Sequence, residues 1–396
     1  MSNTKKKSAL IPFLIALPSI GLGLAWNMNS TLVPLLVKGA TSSAFKLSIL
    51  VTMAPVTGII FPYLAGVISD RTNMKLGKRK PWVLIGGIIG AVALFLLGFS
   101  SSYIVMFILA FIVYAALNFY QGAYYSWMPE AVEDNQIGLV TGLGKLFFSL
   151  GGVIVFFTGV LLFNISKPLP FLIVAIVVIA PILLATFTVK EDTTKFNKPA
   201  KLSLDVLKNG SAMKVFMTAF FFYIGYGLIM PFWIPYYTKV NHFTSTEISF
   251  ALCGFTIIGL ILSIFIGMWC DRFNKQIIFL IGCIIFGASF FLGWTVHSLT
   301  GLWGFTIVYG IGFAIMNVVF YALIPVVAPK EKLGEYMGIN NVFLCIPQII
   351  GNLVGGYLIT NDHGSLLFPL SIGALVIACL IIGIGKIKPH NPELTV

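Results

Sequence analysis

The sequence predicts an all-α membrane protein: twelve transmembrane helices in two parallel six-helix halves. Three observations lead there. They are long stretches without charge, basic residues gathered at one set of span ends, and an internal repeat at about half the chain length. Of the 396 residues, 58% are hydrophobic and 10% are charged, whereas an ordinary globular domain carries about 25% charged residues. A spanning helix needs about 20 predominantly apolar residues.

Residues 8–37 contain no Asp, Glu, Lys or Arg and supply the first span. The basic group Lys5–Lys7 ahead of them imitates a signal peptide, but a signal's apolar core is only about 7–15 residues. Residues 47–69 make the second span. The run 81–129 is long enough for the third and fourth, with a turn at Ser100, Ser101 and Ser102. Residues 146–166 and 168–189 are the fifth and sixth, 215–238 and 248–270 the seventh and eighth. The run 276–329 holds the ninth and tenth around Ser298, Leu299 and Thr300, and 336–361 and 363–385 complete the set.

Charge placement orients these spans. With the N-terminus inside, the cytosolic side receives Lys5–Lys7, the cluster at 71–80, Lys190 to Lys214, Arg272, Lys275, Lys330, Lys332, Lys386 and Lys388. Only Lys38, Lys46, Lys167 and Lys239 fall outside, which is the positive-inside pattern. The acids Glu130, Glu133 and Asp134 share the inner face, but the rule counts Lys and Arg. The expected location is the cell membrane, multi-pass, with both termini cytosolic. The net charge of +12 thus reports topology, and no nucleic-acid partner is expected. Cys253, Cys270, Cys283, Cys345 and Cys379 lie in or beside predicted spans with no C-x-x-C pair, so neither a metal site nor a disulfide framework is expected.

The chain resembles itself. Ile20–Leu24 (IGLGL) recurs as Ile224–Leu228 (IGYGL), and Ser69-Asp70-Arg71 as Cys270-Asp271-Arg272. Tyr125-x-x-x-Pro129 followed by Gly138-x-x-x-Gly142 recurs as Tyr321-x-x-x-Pro325 followed by Gly334-x-x-x-Gly338. Six spans is an even number, so both copies enter the membrane in the same direction. The expected division is an N-terminal half over 1–189, a solvated basic linker over 190–213 and a C-terminal half over 214–396.

The stretch SDRTNMKLGKRKPW (69–82) does more than hold a loop out of the membrane. Gly66 precedes Asp70 and Arg71, then Gly77, Lys78, Arg79, Lys80, Pro81 and Trp82 follow after a spacer. A glycine at 66 permits close helix approach. Asp70 ends span two within reach of Arg79, or of a helix N-terminus of the other half, and Arg71 is expected to reach Glu130. Contacts of this kind form when one side of a carrier closes and break when it opens. Gly66, Asp70, Arg71, Gly77, Arg79 and Glu130, with the repeat pair Asp271 and Arg272, are therefore the candidate gate.

This G-x-x-x-D-R loop resembles the signature of the major facilitator superfamily, a fold of two parallel repeats. The spacer and the Gly-basic-basic-basic-Pro-aromatic sequence resemble the sucrose/glycoside-type branch, which includes glycoside–pentoside–hexuronide carriers. GLGLAWNMNSTLVPLLVKGA, APVTGIIFPYLAGVISDRT and NFYQGAYYSWMPE (118–130) resemble that branch's first, second and fourth spans. The resemblance implies a sugar carrier whose cavity is lined by spans one, four, seven and ten. The chain departs from it at Tyr114 and Tyr125, which stand where proton-coupled sucrose carriers hold an acid and an arginine.

Polar and aromatic groups at membrane depth need partners or water. Span one offers Trp26, Asn27, Asn29 and Ser30; span four offers Tyr114, Asn118, Gln121 and Tyr125. Span seven offers Tyr223, Tyr226 and Trp233, span ten Asn317 and Tyr321, and span eleven Asn340, Asn341, Gln348 and Asn352. Gln121 and Asn317 are repeat-mates. Amides answer hydroxyls and rings cover C–H faces, which suits a sugar; each amide equally suits a helix-to-helix bond. Lys145 lies roughly 10 Å into span five by helical rise, either snorkelling to water or facing a cavity.

The expected function is carriage of a di- or oligosaccharide or a glycoside by alternating access, with export of amphipathic compounds or organic anions as the alternative. The expected partners are that small molecule, the lipid bilayer and a coupling proton or sodium ion, with the chain acting as a monomer. No cofactor, metal or catalytic residue is expected, because no acid, His or Ser/His constellation falls within a span. For the same reason, facilitated diffusion stands beside proton symport.

Overall fold

In the computed structural model, residues 10–72, 74–133, 136–191, 205–329 and 333–390 are described. They contain twelve helices long and apolar enough to cross a membrane. In the N-terminal half these are Leu10–Lys38, Ala44–Asp70, Lys80–Phe99, Tyr103–Glu130, Ile137–Ile165 and Leu169–Thr188. In the C-terminal half they are Gly210–Val240, Ser245–Ser263, Lys275–Trp294, Leu299–Val327, Ile339–Thr360 and Gly364–Gly383. Lys5–Lys7, Asp134, Lys330, Lys332 and most of the linker charge lie outside the described residues.

The chain forms two compact units, Met1–Ser42 with Val56–Pro199, and Ser43–Pro55 with Ala200–Val396. In the second unit the N-terminal end of span two is held by Phe45 N–H, which donates to Thr360 Oγ1 at 2.8 Å. Each unit uses the same neighbour scheme. In the first, span one packs on spans five and six and span three on spans four and six; in the second, span seven packs on eleven and twelve and span nine on ten and twelve.

The repeat is also visible at single-atom scale. A Cβ on Gly151 of span five would sit 2.5 Å from Ile20 O and 2.6 Å from Leu24 N of span one. A Cβ on Gly351 of span eleven would sit 2.6 Å from Ile224 O and 2.8 Å from Leu228 N of span seven. No side chain fits at either place, so the helices touch backbone to backbone. In lipid, where apolar burial gives helices little reason to associate, such close approach supplies the packing energy.

Two spans are interrupted where the sequence analysis expects continuous helix. Span one leaves α geometry at Asn29–Thr31, where Asn29, Ser30 and Thr31 N–H donate to carbonyls only three residues back, at 3.2–3.3 Å. Span seven tightens into a 3₁₀ turn over Met230–Phe232. Proline accounts for both. Pro34 has no N–H for Ser30 O and crowds that carbonyl, while Pro231 and Pro235 do the same around the second break. Span five carries a π turn at Val155–Gly159.

Candidate functional site

The candidate gate cluster begins with a turn. Gly77 N–H donates to Met74 O at 2.9 Å, and Gly77 takes φ +121°, a left-handed backbone that glycine adopts without steric cost. Pro81 then opens span three, where a missing N–H costs nothing. The N–H groups of Lys78, Arg79 and Lys80 lead into that first turn, where backbone donors look outside the helix for acceptors. Glu191, just past span six, supplies one: its Oε1 accepts from Lys78 N at 3.0 Å and Arg79 N at 2.7 Å, and its Oε2 from Lys80 N at 3.3 Å.

So held, the Arg79 side chain is buried and turned inward. Its Nη2 lies 2.6 Å from Asp70 Oδ1 and 3.0 Å from Glu130 Oε1, and its Nε donates to Glu130 Oε2 at 3.3 Å. The Asp70 contact is an ion pair off the hydrogen-bond direction, whereas Glu130 is gripped by both nitrogens. Nη1 donates to Ser69 Oγ at 2.5 Å. Lys78 Nζ adds charge at 3.8 Å from Asp70 and 3.6 Å from Glu130. Removing one member of so buried a set leaves the others uncompensated, at a cost of about 3–5 kcal/mol. Trp82 Nε1 closes the loop by donating to Thr72 Oγ1 at 2.6 Å.

In each unit an aromatic residue of the interrupted first span bonds an amide of another span. In the first unit, Trp26 Nε1 donates to Gln121 Oε1 at 2.9 Å and Tyr114 OH to Asn29 Oδ1 at 2.8 Å. The Trp26 and Tyr114 rings are 5.8 Å apart. In the second unit, Tyr223 OH donates to Asn317 Oδ1 at 3.0 Å, and the Tyr226 ring stacks on Phe313 at 5.4 Å. Gln121 and Asn317 thus each accept from an aromatic residue on the interrupted first span of their own unit. Trp26, Gln121, Tyr226 and Asn317 are all half-buried.

The sequence profile of the Major Facilitator Superfamily matches residues 15–214 and again 215–395. The chain belongs to this superfamily. Among curated relatives, the quinolone resistance protein NorA of Staphylococcus aureus is 24% identical over 185 residues, 47% of this chain and 46% of NorA. An uncharacterized MFS-type transporter of Methanocaldococcus jannaschii is 29% identical over 144 residues, 36% of this chain and 37% of that protein. The chain therefore spans less than half the length of the curated relatives it matches. Among solved structures, the nucleoside transporter NupG aligns with a TM-score of 0.76 at 16% identity, over 96% of this chain and 100% of that one. At that identity the likeness is one of fold.

Several expected residues sit differently in this superfamily member. Arg71 is exposed and does not reach Glu130, whose carboxylate is taken by Arg79 and Lys78. Gly66 is not a close-approach point, since a Cβ there would meet nothing within 4 Å; its carbonyl instead lies 3.5 Å from Arg79 Nη1. Trp233 is core: it is 1% exposed, stacked on Phe305 at 4.8 Å and edge-on to Tyr309 at 4.9 Å. Asn118 is buried and ties span four to span two through Thr57 Oγ1 at 2.9 Å. Asn27 returns its amide to Gly23 O of its own helix at 2.7 Å.

Tyr125 and Tyr321 are equivalent in position and in exposure, at 42% and 41%. Lys145 is exposed on span five, and Asn341 is half-buried. Arg272 is exposed, while the side chain of Asp271 lies outside the described residues. Glu191, Lys78 and Ser69 were not anticipated as gate partners. Nothing local marks Glu191, since its partners are more than 100 residues away. The helix breaks were not anticipated either, although Pro34, Pro231 and Pro235 are the local signal that could have located them.

Proposed function

We propose that this chain is a secondary transporter that carries a sugar (a di- or oligosaccharide or a glycoside) by alternating access. The observation that supports this most is the pair of proline-interrupted spans, one and seven, at corresponding places of the two repeats. Interrupted hydrophobic helices in corresponding positions are the strongest sequence-level pointer to a carrier's binding site, because irregular backbone at membrane depth needs protein or a wet cavity around it. Each interrupted span carries an aromatic residue bonded to an amide of another span, Trp26 with Gln121 and Tyr223 with Asn317. Rings that cover C–H faces and amides that answer hydroxyls suit a polyhydroxylated ring. The resemblance of the 66–82 loop to the sucrose/glycoside branch points the same way. The Asp70–Arg79–Glu130 cluster serves as the gate, and the membrane orientation follows the Lys/Arg bias.

Thermal stabilisation of the purified protein against a panel of sugars, nucleosides and amphipathic cations tests the substrate class. Stabilisation by sugars is expected; stabilisation by cations alone would refute the proposal. A second reading, export of amphipathic compounds, is favoured by the NorA match. Inverted vesicles that accumulate a lipophilic cation and not a labelled sugar would select it.

A further inference from the structure

The chain does not run straight out of span twelve. Gly385, at φ +72°, turns it, and three bonds then fasten it across the unit. Gln276 Oε1 accepts from Ile387 N at 2.9 Å, Ser211 Oγ from Lys388 N at 2.9 Å, and Val326 O from His390 N at 2.9 Å. Lys214 Nζ reaches Ile384 O at 2.5 Å and also Gly385 O. The result is an open recess of about 530 Å³ at the start of span seven, lined by Lys208, Asn209, Lys214, Lys386, Lys388 and His390, with no acid among its described lining residues.

A second recess of about 400 Å³ adjoins it and shares Lys386. Its character is more apolar: Ile277, Leu280, Ile382 and Ile387 line it between spans nine and twelve, with Asn274 and Gln276 at the start of span nine. Ile277 is 57% exposed. Both recesses sit where span seven begins and span twelve ends, the depth at which headgroups meet acyl chains. Four lysines would take any phosphate. An apolar trough continuous with them, on helix surface, suits a phosphate that carries a hydrocarbon chain.

We propose that the joined recess binds an anionic phospholipid, with its headgroup phosphate among Lys208, Lys386 and Lys388 and an acyl chain along Ile277 and Leu280. A basic pocket between helices at the membrane surface is the ordinary form of such a site, and each lysine near the phosphate contributes about fivefold in affinity.

The test uses the full chain, purified in detergent, with native mass spectrometry and melting curves read against dioleoyl phosphatidylglycerol, dioleoyl phosphatidylcholine and inorganic phosphate. Retention of phosphatidylglycerol and a raised melting temperature are expected, with no matching effect of phosphatidylcholine. The double variant Lys386→Gln/Lys388→Gln should lose more than tenfold in affinity for phosphatidylglycerol while melting as the parent does without lipid. If it melts lower, Lys386→Gln alone is read in the same way. Ile277→Ser should weaken the dioleoyl lipid and spare a dihexanoyl one. Equal binding of both dioleoyl lipids, undiminished binding by the lysine variants, or an equal shift from inorganic phosphate would each overturn the proposal.

Discussion

Glu191 accepts a hydrogen bond from the backbone N–H of Arg79, at 2.7 Å across 112 residues of sequence. A carboxylate at the foot of span six thereby fixes the backbone whose side chain joins Asp70 to Glu130. Bonds to a charged group contribute about 1.5–3 kcal/mol each when buried; Glu191 is half-exposed, so the lower end applies. Glu191→Gln should lower stability by about 1–2 kcal/mol, with Glu191→Asp intermediate. Chemical denaturation of the purified protein measures it, and a Gln variant as stable as the parent would show the contact to be idle.

Arg79 and Arg71 should behave oppositely despite their similar sequence setting. Arg79→Ala leaves buried Glu130 and half-buried Asp70 facing Lys78 alone, a loss of about 3–5 kcal/mol. Arg71→Ala, at an exposed side chain, should fall within about 0.5 kcal/mol of the parent. Membrane abundance and melting temperature of the two variants decide the matter. Asp70→Asn, milder because Asp70 is the less buried acid, should reduce transport while abundance holds.

Gln121→Ala and Asn317→Ala should cost affinity before they cost fold. Each amide accepts from an aromatic residue of the interrupted span of its unit, half-buried Trp26 or buried Tyr223; losing one hydrogen bond from that amide to a ligand would cost about 1 kcal/mol, or about fivefold in Kd. Ligand-induced melting shifts should shrink in both, with the ligand-free melting temperature unchanged. A lowered ligand-free melting temperature with unchanged affinity would assign these amides to helix packing.

Glycine positions divide into two kinds. Gly151→Ala and Gly351→Ala each push a methyl group into the backbone of a neighbouring span and should cost about 1–3 kcal/mol. Gly138→Ala and Gly142→Ala meet open space and gain helix propensity. Expression level and detergent melting of the four variants should sort into those pairs.

Transport should not require an intramembrane carboxylate. Uptake into proteoliposomes should reach the same final level with and without an imposed pH gradient. Accumulation that collapses with a protonophore would refute this and would turn attention to Glu130.

The spans and the repeat were legible in the sequence because charge-free runs of spanning length have no other cheap home. The Asp70–Arg79 pair was legible too, since a short loop brings both to one membrane face. The partner of Glu130 was not: the expected Arg71 stays exposed, and Arg79, on a backbone turned at Gly77 and held by the distant Glu191, takes Glu130 as well. Trp233 looked like cavity lining for a related reason. Its burial comes from Phe305 and Tyr309 of span ten, more than 70 residues away, and no local pattern states that. Pro34 and Pro235 were in plain view, and what they carried was the position of the helix breaks.

Gly151 and Gly351 also bear on descent. If one ancestral six-helix unit was copied, selection on each copy at this contact has had to preserve a clearance, not a sequence: one missing methyl group per helix pair. Most surrounding positions were then free to drift apart in lineage after lineage. A search for lost members of this lineage would do better to look for paired gaps between helices than for shared letters.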